Sequence, residues 1–442
     1  MNALIALIQP ARQSLLIALI CGLAAVAAMV GRSELGLCGK DDGQRPFPYD
    51  NSVDSHSYLQ IAQGQIGQVE SPFSKRVLYP ALGGWLARHF HVSLAATFLG
   101  MGLFAYVLLA FCVAELLRLT IRLPWLALLF LLTPQPLIGA EMAYMPDLFH
   151  MSLLALFLLL WWHQAIKSAF VVLFIAFITR ENTLLACLFL GYVAWRRKEK
   201  LLMAGAAGVL GAGMVVTSFF AKWGLPNRHH MPDFLYLLGK VPYYFLYNLI
   251  GLRIWSDARP NEGVPIFTRH LPTWLWVGQD REIGLCQPEW MCPIFTVVCW
   301  LTIFGIGPYF LIWLWRRRAR FNTMPVLIHF CFVYGLISFF AGPLLGDWVA
   351  RLVGYGWPVF WIALPYWLAR ETTAGCWSKS RLAIIGGCFW LTSWWPVIWQ
   401  YEQRNESPWA SLTLVVFYFI VWRVLKGEGT ADSSHAKPAG LA

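Results

Sequence analysis

Between residues 51 and 80 the chain gathers Asp54, His56, Tyr58 and Arg76 in its most polar segment ahead of a long apolar series. Three further groups of ionisable residues interrupt apolar sequence: Asp147 after Tyr144-Met-Pro146, the pair Arg180-Glu181, and Arg351 in Gly346-Asp-Trp-Val-Ala-Arg351. A carboxylate can accept a proton from a reacting hydroxyl. A guanidinium offers a planar fork that matches phosphate oxygens and keeps its charge in apolar surroundings. The residue types therefore point to anion binding beside a proton acceptor.

Each residue also has a plainer reading. Asp147 can be a helix cap, Arg180 can snorkel to lipid headgroups, and His56 can simply be solvated. Arg76 either meets a phosphate or pairs with Asp54, and Glu181 is the adjacent candidate partner for Arg180. His229, His230 and Asp233 have no fourth ligand at a spacing that would complete a metal site, so they are read as a solvated loop.

The elements that must hold these groups follow from periodicity. Asp50, Asn51 and Ser52 offer N-cap side chains, and Tyr58, Ile61, Ala62, Ile66 and Val69 recur opposite Gln60, Gln63 and Gln68. A short amphipathic helix in a membrane interface is expected, with Asp54 in its first turn, where the helix dipole favours a carboxylate. Tyr58 falls one turn later on the same face.

With 58% hydrophobic and 13% charged residues, 24 Trp and 30 Phe in 442 positions, the chain is excluded from the water-soluble globular class. Its net charge of +11 is spread in short basic clusters between apolar runs, which speaks for membrane topology and against a nucleic-acid partner. Spans are expected at 12–31, 93–117, 123–140, 147–163, 201–221, 292–315, 322–345, 353–368, 382–399 and 408–425. The run 169–195 is interrupted at Thr179-Arg-Glu-Asn182 and is read as two short helices, which brings the count to twelve crossings. The first run, 14–30, contains Ala25-Val-Ala27 but is long for a signal-peptide core, and it is read as a retained helix.

With the N-terminus inside, the basic clusters at 118–122, 167, 196–200, 316–320, 370–381 and 423–426 all fall on the cytoplasmic side. The outer side then carries loop 32–92, Asp147, Arg180, loop 222–291 and Arg351. Within the second loop, 242–255 is too short to span, is rich in Tyr and Trp, and is read as an interfacial or re-entrant helix. Cys38, Cys286 and Cys292 would lie outside, where one disulfide can form and leaves the third thiol over; Cys21, Cys112, Cys187, Cys299, Cys331 and Cys388 fall inside apolar runs and read as small hydrophobes. The expected organisation is a single all-α membrane domain over 1–426 and a disordered cytoplasmic tail, 427–442.

Asp54, Tyr58, Ile61, Ala62 and Gly64, followed by Arg76, Leu78 and Pro80, resemble the first extracytoplasmic loop of polytopic GT-C glycosyltransferases. The resemblance covers about thirty residues. It implies a GT-C-like helical bundle in the inner (plasma) membrane, with its active site facing out. It also implies inverting transfer of a sugar from a polyprenyl-phosphate donor to a glycan, lipid or protein acceptor. Asp54 would be the base, and Arg76, Arg180 and Arg351 would hold the phosphate, with Tyr58, His56, Glu181 and Asp147 as further substrate contacts. Many members carry two adjacent acids where this chain has Asp54 followed by Ser55 and His56, and no metal or other cofactor is expected. Competing readings are a transporter or flippase, and a lipid-linked polysaccharide polymerase or ligase.

Overall fold

The computed structural model describes residues 2–34, 53–226, 233–256, 265–271, 281–286, 290–305, 307–316, 324–346, 349–373, 386–394 and 419. They form a helical fold. The helices are α1 (Asn2–Glu34), α2 (Val53–Ala62), α3 (Leu78–Phe90), α4 (Leu94–Ile121), α5 (Leu126–Leu131), α6 (Pro134–Glu141), α7 (Asp147–Trp162) and α8 (Ile166–Thr179). They continue with α9 (Thr183–Arg197), α10 (Lys200–Ala221), α11 (Asp233–Phe245), α12 (Met291–Thr302), α13 (Gly307–Arg316), α14 (Val326–Ala341), α15 (Val349–Val353) and α16 (Leu364–Thr373).

Among the described residues four stretches, Ala11–Val30, Leu94–Ile121, Lys200–Ala221 and Val326–Leu344, are long and apolar enough to cross a membrane. Their outer faces expose Leu15, Leu19, Leu23, Phe104, Val215 and Phe340, side chains that favour lipid over water. The protein is membrane-associated. The helices α7, α8 and α9, of 16, 14 and 15 residues, are shorter than a straight span; at 1.5 Å per residue α8 reaches only about 21 Å.

These short helices form two hairpins. Trp161 and Trp162 at the end of α7 share a cavity with Ile166 at the start of α8 and with Glu199 just beyond α9. The other end of α8 meets the start of α7, where Arg180 pairs with Asp147. The helices α8 and α9 therefore run in opposite directions, and Arg180 stands at their tip with an extended backbone, φ −158° and ψ 130°. From Lys200, α10 returns toward Arg180, and past its end Leu225 N–H donates to the Val69 carbonyl at 2.8 Å.

The molecule thus has two unlike ends. Arg122 and Arg370 line one cavity with Pro325, and Glu199 lines a second cavity that Pro325 also borders. Arg118, Lys167, Arg196, Arg197, Lys198 and Lys200 stand near the same helix termini, which makes this the basic end. Asp54, Arg76, Asp147, Arg180 and Arg351 occupy the other.

Several expected spans are broken. The run 123–140 is two helices, because Pro134 has no N–H to give to Phe130 and begins a new helix. The carbonyls left at the break are each met by a side chain. Thr133 Oγ1 donates to Phe130 O at 2.6 Å, Tyr106 Oη to Leu131 O at 2.6 Å, and Trp394 Nε1 to Leu132 O at 2.9 Å. In a membrane, where water cannot serve, a break is tolerable only on such terms. The span 292–315 is interrupted between α12 and α13, with Gly305 at φ +49°. Residues 354–356 and 359–363 are 3-10 and π turns ahead of α16, and 386–394 is helical.

The segment 242–255 is likewise no single helix. The Leu246–Ile250 π turn follows α11 and closes at Gly251, φ +79°; the chain then enters β1 (Ile254–Ser256). With β2 (Pro265–Leu271) and β3 (Arg281–Cys286) it makes an antiparallel sheet of order β1-β3-β2, an element the all-α reading did not anticipate. Asp50, Asn51, Ser52, Cys38, His229, His230, the tail 427–442 and nearly all of 408–425 lie outside the described residues.

Helix α2 is seated by close backbone approach. A Cβ at Gly84 of α3 would stand 2.0 Å from the Ala62 carbonyl oxygen, to which Arg88 Nη1 also donates at 3.0 Å. Gly100 of α4 faces open space. Gly84→Ala should lower stability by about 1–3 kcal/mol through overpacking. Gly100→Ala should be neutral or stabilising by up to about 1 kcal/mol. Thermal melting in detergent checks both, and equal melting of the two variants would contradict the packing of α2 on α3.

Candidate functional site

The site is built from the first turns and ends of five elements. Asp54 lies in the first turn of α2 and Asp147 in the first turn of α7. Arg76 caps the Phe73–Lys75 3-10 turn, Arg180 ends α8, and Arg351 lies in α15. Five sequence-distant groups converge because each is the polar terminus of an otherwise apolar segment.

Asp147 is the centre. Its Oδ1 accepts a short hydrogen bond from the Tyr355 hydroxyl, forms an ion pair with Arg180 Nη1, and lies 3.3 Å from Arg351 Nε. Arg351 Nη1 donates to Asp54 Oδ2 at 3.0 Å, which links α2 to α7. The Arg180 guanidinium lies over the Tyr355 ring, 5.1 Å from its centroid. A second arm runs through Arg76, whose Nε donates to Glu181 Oε2 at 2.7 Å, with a further ion-pair contact from Nη2 to Oε1. Arg76 Nη1 donates to Tyr58 Oη at 2.7 Å.

Three guanidinium groups thus face three carboxylates, and the cluster is close to neutral in sum. Burial grades across it. Arg180 is 2% exposed, whereas Asp54 and Glu181 are 24% and 26% exposed, so the rim is reached through those two acids. Hydrogen-bonding capacity remains unspent in the interior. Among the described residues, Arg180 Nε and Asp147 Oδ2 are buried without a hydrogen-bond partner, while Arg180 Nη1 is engaged by the Asp147 carboxylate as an ion pair. Buried polar atoms of this kind are uncommon in a finished core and common where a ligand completes the network.

Two pairings differ from the sequence reading. Arg76 joins Glu181 and Tyr58 rather than Asp54, and Arg180 joins Asp147 rather than its neighbour Glu181. Asp147 is not a cap either: Pro146 holds the N-cap position, and the Asp147 carboxylate points across to other elements. His56 is exposed on α2, while Tyr58 is fully buried.

Three residues of the cluster went unnoticed in the sequence. Tyr355 follows Arg351 by four positions. His150 follows Asp147 by three, and Thr183 follows Arg180 by three; His150 Nε2 and Thr183 Oγ1 are 2.8 Å apart in the buried interior. Helical spacing from Arg351 and from Asp147 was the available signal for Tyr355 and His150; Thr183, across the break at the extended Arg180, carried no such signal. Among the described residues no group of three His, Cys, Asp or Glu is placed to hold a metal. Cys286 is buried and Cys292 partly so.

Compared with known proteins, the chain matches no family model and no curated protein.

Burial alone would raise the Glu181 carboxyl, but the Arg76 guanidinium, seconded by Arg180, brings it down to about 2. Burial lifts the Tyr58 hydroxyl above its ordinary range against the pull of Arg76, so it stays protonated. Because the folded value of Glu181 lies below the unfolded value of about 4.3, its contribution to stability is complete above that pH and is lost as pH falls toward about 2. Glu181→Gln should therefore melt lower than the parent near neutrality, and the gap should narrow between about pH 4.5 and 2. A gap independent of pH would contradict the Arg76–Glu181 ion pair.

Proposed function

We propose that the chain is an integral membrane glycosyltransferase of GT-C type. It carries about twelve crossings in the inner (plasma) membrane, has the Asp54 end outside the cytoplasm, and transfers one sugar from a polyprenyl-phosphate donor to a cell-envelope glycan, lipid or protein. The observation that carries this reading is the meeting of Asp54 with Arg351 at the partly open rim of a buried arginine cluster that has an unspent donor. The motif of residues 54–80 and the concentration of basic residues at the opposite end support it.

In the proposed reaction the donor phosphate engages the guanidinium forks of Arg351 and Arg180, and Asp54 gives up Arg351. The freed carboxylate takes the proton of the acceptor hydroxyl as that oxygen attacks the anomeric carbon. The bond from the anomeric carbon to the phosphate oxygen breaks, and its electron pair leaves with the polyprenyl phosphate, whose charge the arginines stabilise. Attack from the face opposite the phosphate inverts the anomeric centre. Arg76 and Glu181 hold the α8–α9 tip in place and contribute a third cation near the leaving group.

The test is sugar transfer by purified protein in lipid, with donor binding measured on the same sample. Asp54→Asn keeps the shape and deletes the basicity, so turnover should fall about a hundred- to ten-thousand-fold with donor binding retained. Asp54→Glu should recover little, since a displacement of about 1 Å can cost roughly a hundredfold. Normal transfer by Asp54→Asn would end the mechanism. Donor translocation without transfer would assign the cluster to a flippase instead.

A further inference from the structure

Arg180 and Thr183 flank the α8–α9 turn, and both face α7. Arg180 Nη1 pairs with Asp147 Oδ1, and Thr183 Oγ1 lies 2.8 Å from His150 Nε2. Asp147 and His150 are three positions apart on α7, so they share one helix face, about 4.5 Å apart along its axis. Glu181, between Arg180 and Thr183, leaves in another direction to Arg76. The tip is therefore docked on α7 at two points, one turn apart.

The second point constrains the first. An ion pair at the end of a long side chain, acting alone, leaves the tip free to pivot about Asp147. The contact between His150 and Thr183 removes that freedom. Both residues are 0% exposed, and in such an interior a hydrogen bond is stronger than it is in water.

The imidazole also bears on Arg180 by a second route. Its ring meets the Tyr355 ring edge-on, with centroids 5.5 Å apart and planes at 70°. The Arg180 guanidinium lies over the same Tyr355 ring, 5.1 Å from the centroid, and the Tyr355 hydroxyl donates to Asp147. Among the described residues His150 makes no hydrogen bond or ion pair to Arg180 or Asp147 themselves. It reaches Arg180 through its two supports, the tip backbone by way of Thr183 and the ring beneath the guanidinium by way of Tyr355.

We propose that His150 is a positioning residue: with Thr183 it holds the Arg180 guanidinium in the plane from which its fork takes a phosphate. The inference rests on the reading of Arg180 as a phosphate ligand and adds the device that aims it. A fork that meets two oxygens at once tolerates little displacement, and about 1 Å can cost roughly a hundredfold where alignment decides.

The experiment measures binding of undecaprenyl phosphate, with undecaprenol as the uncharged control, to the purified full chain in nanodiscs. The ratio of the two affinities isolates the phosphate. Thr183→Val exchanges the hydroxyl for a methyl group and should lower that ratio about tenfold, within the range seen for residues that share one network. His150→Phe keeps a ring against Tyr355, loses the hydrogen bond, and should lower the ratio similarly. Thr183→Ser retains the hydroxyl and should stay within about twofold of the parent. In an Arg180→Lys background the fork is already lost, so adding Thr183→Val should cost less than about twofold more. Tyr106→Phe deletes a buried hydrogen bond to the Leu131 carbonyl, away from the cluster, and should lower the melting temperature while leaving the ratio unchanged.

An unchanged ratio in Thr183→Val and His150→Phe, with Arg180→Lys still lowering it, would make the pair a packing contact and overturn the inference alone. An undiminished loss from Thr183→Val in the Arg180→Lys background would do the same. An unchanged ratio in Arg180→Lys itself would remove the phosphate reading of Arg180, and the inference with it. Should His150→Phe fail to fold, the comparison of Thr183→Val with Thr183→Ser decides.

Discussion

The Asp147 carboxylate is the point at which α7, the α8–α9 hairpin and the segment 349–356 are joined. One oxygen faces Arg180, Arg351 and Tyr355 together. In a low-dielectric interior no member of such a group is stable alone, and deleting one partner of a buried pair typically costs about 3–5 kcal/mol because the other charge is stranded. The hairpin tip at Arg180, the entry of α15 and the start of α7 are held in register by that constraint. Asp54 joins the same network through Arg351, so α2 is positioned by a carboxylate that is itself partly exposed.

Backbone irregularity is distributed in keeping with this. The break between α5 and α6 is closed by three side-chain donors and becomes a rigid part of the core. The break between α8 and α9 is closed by charge, with Arg180 buried and Glu181 at the rim. The first is a packing solution. The second leaves a donor unspent, and in the proposed reaction a phosphate makes use of it. In that proposal the Arg351–Asp54 contact keeps the carboxylate engaged until an anion competes for the same guanidinium.

What the sequence made legible was local. Asp54 and Tyr58 at four-residue spacing, an ionisable pair inside the run 169–195 and Arg351 after a glycine-containing turn could be picked out because each is anomalous among its neighbours. Which acid meets which arginine was not legible, since Arg351 and Asp54 are 297 positions apart and only the packing of apolar helices brings them together. The break at Thr133-Pro134 was signalled by Pro134 and Pro136, but the longer apolar run on either side led the segment to be read as one span. The strand at Ile254–Ser256 was hidden because Trp and Tyr serve a strand and an interfacial helix equally well. Tyr355 and His150 were within reach, one helical turn from residues already singled out.

The central claim is that Arg351 and Arg180 form a phosphate-binding fork rather than a purely structural charge pair. The most direct measurement is the affinity of the purified protein in lipid for a polyprenyl-phosphate sugar, compared with Arg351→Lys and Arg180→Lys. Lysine preserves the charge and loses the bidentate geometry. Weakened donor binding in both variants, with melting temperatures near the parent, is the predicted result. Unchanged donor affinity in both would contradict the claim and leave the cluster as a structural clamp.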